Sequence, residues 1–271
     1  MALGDRYEMF AACASSIPFA IPIAHIHGGE ITLGAIDDTF RNAITQMASY
    51  HFTTTDQYRQ RVIELKGSDA QVYNVGALSI DNLKSLKLFS IGEMKERFGV
   101  DLSLPSILIT FHPETVAFTK NEGYIRELIN ALDQISGYQY IITMPNADTM
   151  GTMIRNELVS FVNNRSNALA IESFGTIGYL SCMKYSTMLL GNTSSGFVEA
   201  AFFPKYVINL GERQTGRILT PNIYSCSIQK DNIIDAVNNY MNMDLSEVSN
   251  IYGDGSAARK IVSHLKLTVL E

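Results

Sequence analysis

The 271-residue chain has few cysteines, no dense run of basic residues and no long uninterrupted apolar segment. Its three cysteines, Cys13, Cys182 and Cys226, are odd in number, far apart and without metal-ligand spacing. That argues against a disulfide scaffold or a zinc site and favours a reduced, cytoplasmic setting. Lys and Arg total 21 against 27 Asp and Glu, a net charge of −6. Without a cationic footprint, nucleic acid is not an expected partner. The longest apolar stretch, Ile17 to Ile26, is broken by Pro18, Pro22 and His25. It falls well short of the roughly 20 residues a spanning helix needs, so no membrane anchor is expected. Met1-Ala2-Leu3 runs into Gly4-Asp5-Arg6 with neither the basic nor the apolar region of a signal peptide. No short internal repeat or low-complexity segment is present.

What is there reads as a globular α/β protein. Apolar residues make up 46% and charged residues 18%, enough to bury a core. Short runs rich in Val, Ile and Tyr alternate with segments of helical period, the pattern of βαβ units and a parallel sheet. Strands are expected at 21–25, 51–54, 71–75, 107–111, 138–143, 168–171, 187–190, 206–209 and 223–226. Helices are expected at 37–47, 56–66, 91–98, 121–134, 149–163, 233–241 and 257–265. The pattern changes between Ile80 and Leu104. We therefore expect a partial N-terminal Rossmann-like half at 1–85, a linker and connecting helix at 86–104, a C-terminal Rossmann-like half at 105–246, and a C-terminal helix at 247–271.

Several segments carry chemistry. Gly191-Asn192-Thr193-Ser194-Ser195-Gly196 follows an expected strand and precedes an expected helical stretch, Phe197 to Phe203. Such a turn offers free backbone N–H groups and hydroxyls to a phosphate, although an ordinary serine-capped turn has the same look. Glu199 lies where it could accept two sugar hydroxyls, or simply sit in solvent. Arg213 and Arg217 follow the next strand and suit a pyrophosphate clamp.

His25-Ile26-His27-Gly28-Gly29-Glu30 ends a strand, and alternation puts the two histidines on one face. A metal pair is conceivable there, but the further ligand of a zinc site is missing. The glycines let the chain turn and bring Glu30 to the strand mouth. Asp37 and Arg41 share a helix face at i and i+4, the spacing of a plain ion pair. Yet Asp5, Glu30, Asp37 and Asp38 all fall at turns, strand ends or helix starts, and clustered carboxylates beside arginines are raw material for proton transfer. His112, in Phe111-His112-Pro113-Glu114-Thr115, follows the first strand of the second half and is either structural or catalytic.

Taken as a set, Gly4-Asp5-Arg6-Tyr7-Glu8, His25 to Glu30, Gly34 to Asp38 with Arg41, His112 to Thr115, Gly191 to Gly196 with Glu199, and Asn209 to Gln214 resemble the UDP-N-acetylglucosamine 2-epimerase family. The HIHGGE and IDD-x-x-R forms resemble its hydrolysing branch, which makes N-acetylmannosamine and UDP for sialic-acid-type sugars. The resemblance implies a GT-B-like architecture of two Rossmann-type halves, with 105–246 binding UDP and the C-terminal helix at 247–271 returning to the first half, which is incomplete because family members carry a long segment ahead of the Gly-Asp-Arg turn. That absence in turn implies an exposed sheet edge and association or instability.

The resemblance also implies a UDP-sugar substrate, no redox cofactor, no metal, and a homodimer or higher homo-oligomer. Asp5, Glu30 and Asp37 match the catalytic carboxylates, and His112 joins them while also holding the diphosphate. Arg6, Arg41, Thr193, Ser194, Ser195, Gly196, Glu199 and Arg213 fall at substrate-binding positions. A non-catalytic UDP-sugar-binding module or inactive fragment, a metal hydrolase built on His25, His27 and Glu30, and a GT-B glycosyltransferase are the competing readings.

Overall fold

A computed structural model describes residues 1–114, 118–145, 151–240, 245, 248 and 251–269. The chain forms two units, one of Met1–Ser85, Thr215–Arg217 and Asn250–Glu271, the other of Leu86–Gln214 and Ile218–Ser249.

In the first unit, strands β1 (Ala2–Leu3), β2 (Ala24–Ile26), β3 (Tyr50–Thr53) and β4 (Val72–Asn74) form a parallel sheet in chain order. Helices α1 (Tyr7–Ser16), α2 (Asp37–Met47), α3 (Asp56–Lys66) and α4 (Leu78–Ser85) connect or follow them. Parallel strands bury both faces. On one face Ala2, Ile23 and Ile44 pack with Cys13 of α1, and on the other Ala24, Ile26, Phe52 and Val75 pack with Ile261. Ile261 belongs to the C-terminal helix (Ala257–Val269), whose first turn is capped by the Asp81 carboxylate at 2.9 and 2.8 Å from the Ala257 and Ala258 amides.

The second unit opens on α5 (Ile91–Phe98), held by a Ser90–Glu93 capping box and closed by left-handed Gly99. Residues 86–104 are not a free tether: Met94, Val100 and Leu102 are core residues of this unit. The unit continues as β5 (Ser106–Thr110), α6 (Asn121–Leu132), β6 (Gln139–Thr143), α7 (Gly151–Asn163), β7 (Ala168–Ile171) and α8 (Gly175–Tyr185). It then runs through β8 (Met188–Gly191), α9 (Glu199–Phe202), β9 (Tyr206–Leu210), β10 (Ile223–Cys226) and α10 (Lys230–Tyr240), so the C-terminal helix of the first unit is α11. The six strands are parallel in the order β10-β9-β8-β5-β6-β7. Side chains alternate between two cores, with Ile107 and Ile109 on one side of β5 and Leu108 on the other. The order reverses between β5 and β8, the doubly wound switch point beyond whose carboxyl edge ligands bind.

The sequence reading missed β1, α1, α4 and α8. β1 has only two residues and no alternation to read. α8 contains Gly175 and Gly178, which look like turn residues, but a Cβ at Gly178 would come within 3.0 Å of the Phe98 ring, so glycine there lets the helix approach α5. The expected helix start at 149, the 246/247 boundary and Thr115 lie outside the described residues. All three cysteines are free thiols. Among the described residues no helix is long and apolar enough to cross a membrane.

Candidate active site

At the carboxyl edge of the first sheet the chain leaves β1 through a turn at Gly4, whose amide donates to Ile26 O over 3.0 Å. His25, buried on β2, fixes that turn. Its Nε2 donates to Gly4 O over 2.9 Å, and its Nδ1 therefore accepts from the Thr45 hydroxyl at 3.1 Å. Burial keeps the ring neutral, with its pKa down at about 4.

β2 stops at Ile26, and His27 adopts a left-handed φ of +68°. The two histidines thus do not share a face as strand alternation suggested, because the second is past the strand's end. The ring of His27 turns towards Glu30, Nδ1 to Oε1 3.2 Å. Gly29, at φ +81°, lets the turn close, since a Cβ there would meet Tyr58 O at 2.5 Å.

Glu30 is almost fully buried. Its Oε1 also accepts from the Thr54 hydroxyl at 3.1 Å, and its Oε2 accepts from the Arg217 guanidinium at 2.9 Å. Burial alone would raise its pKa, but the Arg217 charge and the His27 contact override this and bring it down to about 2. Arg217, expected as part of a pyrophosphate clamp, is instead a buried counter-charge of the first unit, because Glu30 offers it an ionised partner out of water.

Arg41, also buried, is the other hub. One guanidinium nitrogen donates to Glu30 O at 2.9 Å, Thr32 Oγ1 at 3.0 Å and Asp38 Oδ1 at 3.2 Å, and the other pairs with Asp5. Burial, reinforced by the nearby Arg217 charge, pulls its pKa down to about 9. The expected Asp37–Arg41 pair is replaced by Asp38 and Asp5, because Arg41 points back along its helix into the sheet edge. Asp37 is half-buried at the start of α2, and Arg6 is exposed in a pair with Glu8 at 3.2 Å. Asp5, Asp38, Glu30, Arg41 and Arg217 therefore form one linked set of charged groups that His27 joins through Glu30, while Asp37 makes no ion pair with Arg41. Among the described residues no group of three or more His, Cys, Asp or Glu is arranged to hold a metal ion.

In the second unit the switch point carries His112 after β5 and residues 192–196 after β8. Asn192 latches the two loops together. It accepts from His112 N at 2.7 Å and donates to His112 O at 2.8 Å, while its own carbonyl accepts from Arg213 at 3.0 Å and Gln214 at 2.9 Å. Gly191, at φ +145°, has no room for a Cβ against Thr110 O. Thr193 caps a 3₁₀ turn, Ser194–Gly196, and the helical stretch expected over 197–203 is present as the four residues of α9. Ser194 is exposed, whereas Ser195 is tied to Tyr179 at 2.6 Å and to Thr193 at 3.1 Å. Glu199 is half-buried at the start of α9.

His112 is half-buried; burial first, then the Arg213 charge, pulls its pKa down to about 4. Its ring is thus neutral at neutral pH and able to hydrogen-bond. Glu114 is buried, and its Oε1 accepts from the Glu212 and Arg213 amides at 2.8 and 3.2 Å, which shapes the loop that carries Arg213. The sequence reading missed Asn192 and Gln214 as organising residues and gave Glu114 no role. Their one available signal was polar character beside strand ends.

These placements can be compared with known proteins. The UDP-N-acetylglucosamine 2-epimerase family profile matches residues 1–266. The chain belongs to that family. It is 35% identical over 227 residues to the GDP/UDP-N,N'-diacetylbacillosamine 2-epimerase (hydrolyzing) of Campylobacter jejuni, covering 83% of this chain and 59% of that protein. It is 34% identical over 239 residues to polysialic acid biosynthesis protein P7 of Escherichia coli, covering 88% and 61%. The chain thus spans about three-fifths of the length of these curated relatives. The crystal structure of UDP-GlcNAc 2-epimerase from Neisseria meningitidis bound to UDP-GlcNAc superposes with a TM-score of 0.83 at 20% identity, covering 97% of this chain and 74% of that one. The fold is accordingly of the GT-B-like type, two α/β halves with parallel sheets.

Proposed function

We propose that this epimerase-family chain carries out hydrolysing 2-epimerisation of a UDP-linked 2-acetamido sugar. The observation that carries the reading is the pair of buried guanidiniums at the carboxyl edge of the first sheet, Arg41 held by half-buried Asp5 and the Glu30 backbone carbonyl, and Arg217 by the buried Glu30 carboxylate. Burying charge is costly even when it is paired, and buried, strongly perturbed charged groups cluster at functional sites.

In this reading a base takes the proton from C2 of the sugar, the C–H electron pair becomes the C1=C2 double bond, and UDP leaves from C1 with the electrons of the C1–O bond. Water then adds across the 2-acetamidoglycal, hydroxide to C1 and a proton to the opposite face of C2, and the free 2-epimer departs. The C2 hydrogen is not beside a carbonyl, so stabilising the leaving group matters as much as the base. Arg213, His112 and the Thr193–Gly196 turn of the second unit would hold the diphosphate, with Glu199 on the ribose. Asp5, Glu30 and Asp37, with Arg6 and Arg41, would serve the sugar. The scheme needs no redox cofactor and no metal.

With UDP-N-acetylglucosamine the product would be N-acetylmannosamine, a precursor for sialic-acid-type sugars, which the likeness to polysialic acid biosynthesis protein P7 supports. The likeness to a diacetylbacillosamine 2-epimerase supports a second substrate of the same class, bearing a 4-acetamido group. UDP release assayed with both nucleotide sugars, with each product identified by proton NMR, decides between them. UDP binding with release from neither would leave a binding module and refute the proposal.

A further inference from the structure

We propose that the proton carrier on the turn after β2 is His27, and that Glu30 is the carboxylate that positions its ring. The inference rests on the 2-epimerase reading and deepens it.

Glu30 is poorly placed to carry a proton itself. Both of its oxygens are engaged, one by Thr54 and His27 and the other by Arg217, inside a buried pocket of the first unit. With its pKa brought down to about 2, it neither offers a proton at neutral pH nor has an appreciable tendency to take one. His25 is also committed, since both ring nitrogens are bonded within the fold. Asp5 is paired with Arg41.

His27 differs from all three. Its Nδ1 faces the ionised Glu30, so in the neutral tautomer Nδ1 carries the hydrogen and Nε2 the lone pair. Nε2 is buried and has no hydrogen-bond partner. Buried polar atoms are seldom left so, and a substrate C–H that comes to Nε2 explains this one. The backbone gives a second, independent sign. A non-glycine residue at φ +68° is strained, and here the strain is held by the His27 amide bonding to Phe52 O at 2.9 Å. An outlier of this kind is characteristic of functional sites.

The arrangement is that of a carboxylate-oriented imidazole base. Nε2 accepts the C2 proton, the C–H electrons form C1=C2, and the C1–O electrons leave with UDP. The imidazolium charge is balanced by Glu30 until the proton passes to solvent.

The test is His27→Gly, which suits the left-handed backbone and removes only the ring. In steady-state assays with the UDP-linked 2-acetamido sugar we expect kcat to fall by about 100-fold or more with KM nearly unchanged. Added imidazole should restore at least about tenfold of the loss, which repair of a structural defect would not do. Glu30→Asp should keep much more activity than Glu30→Gln. Undiminished turnover by His27→Gly overturns the proposal, as does a loss that imidazole leaves untouched in a variant still binding UDP normally. Independently of turnover, ¹⁵N NMR of the wild-type ring should show hydrogen on Nδ1; hydrogen on Nε2 overturns the proposal. If the unaltered chain turns over no such sugar, the 2-epimerase reading falls and this inference with it. Loss confined to the variants leaves that reading standing.

Discussion

Arg217 donates to Glu30 Oε2 across 2.9 Å, although 187 residues separate them in sequence. Both side chains are about 95% buried, and both belong to the first unit, which takes Thr215–Arg217 from a late part of the chain. A buried pair of this kind is weak evidence of net stability, but removal of one member strands the other charge.

Arg217→Met should therefore destabilise the protein by about 3–5 kcal/mol. Arg217→Met combined with Glu30→Leu should recover much of that loss. Urea unfolding of the two variants checks this, and a double variant no more stable than Arg217→Met would show that the pair does not carry the effect.

Gly29→Ala should be as damaging as many core truncations. The new Cβ would sit 2.5 Å from Tyr58 O and 2.9 Å from Val62 Cγ2, on a backbone at φ +81°. We expect a loss on the order of 1–3 kcal/mol from strain alone, more if the clash cannot relax. Thermal unfolding measures it, and an unshifted midpoint would mean that the turn is not close-packed.

The limits of sequence reading show in the same residues. Parallel strands such as Ser106–Thr110 were legible because they are short continuous apolar runs, and α2 and α3 because their apolar period and acidic first turns are plain. β1 and α1 were not, since a two-residue strand and a helix of small residues have no readable period. In the site, the turn bringing Glu30 to the strand mouth followed from its two glycines. The partnership of Glu30 with Arg217 did not, because nothing local distinguishes a guanidinium that returns to the first unit from one that clamps a phosphate. Asn192 escaped for a related reason: its importance comes from a loop 80 residues away.

Asn192→Ala removes both side-chain bonds to the His112 backbone. The expected cost is about 1 kcal/mol, from the two part-buried backbone groups left unpaired. If the latch shapes the diphosphate site, UDP affinity should fall as well. Calorimetric titration with UDP reads this, and wild-type affinity in a destabilised variant would confine Asn192 to a structural role.

Acid should weaken the fold through buried histidines. His25 and His51 are buried and held neutral down to about 4, chiefly by burial. The unfolded chain titrates them near 6.5. Between about pH 6.5 and 4 the unfolded state thus binds more protons, so stability falls as pH falls, by up to about 3 kcal/mol per histidine at the lower end. Glu30 acts lower still: its contribution is intact above its unfolded value and is lost as pH drops towards 2. Urea midpoints from pH 7 to 4 should decline, and His51→Gln should flatten the decline. An unchanged slope in that variant would refute the assignment.

In the proposed reaction this chain removes and replaces the C2 proton of a UDP-linked 2-acetamido sugar while expelling UDP. The most direct test is turnover in D₂O followed by proton NMR. UDP and a free 2-epimer with deuterium at C2 are expected; a free sugar of unchanged C2 configuration that retains its original hydrogen would contradict the proposed reaction.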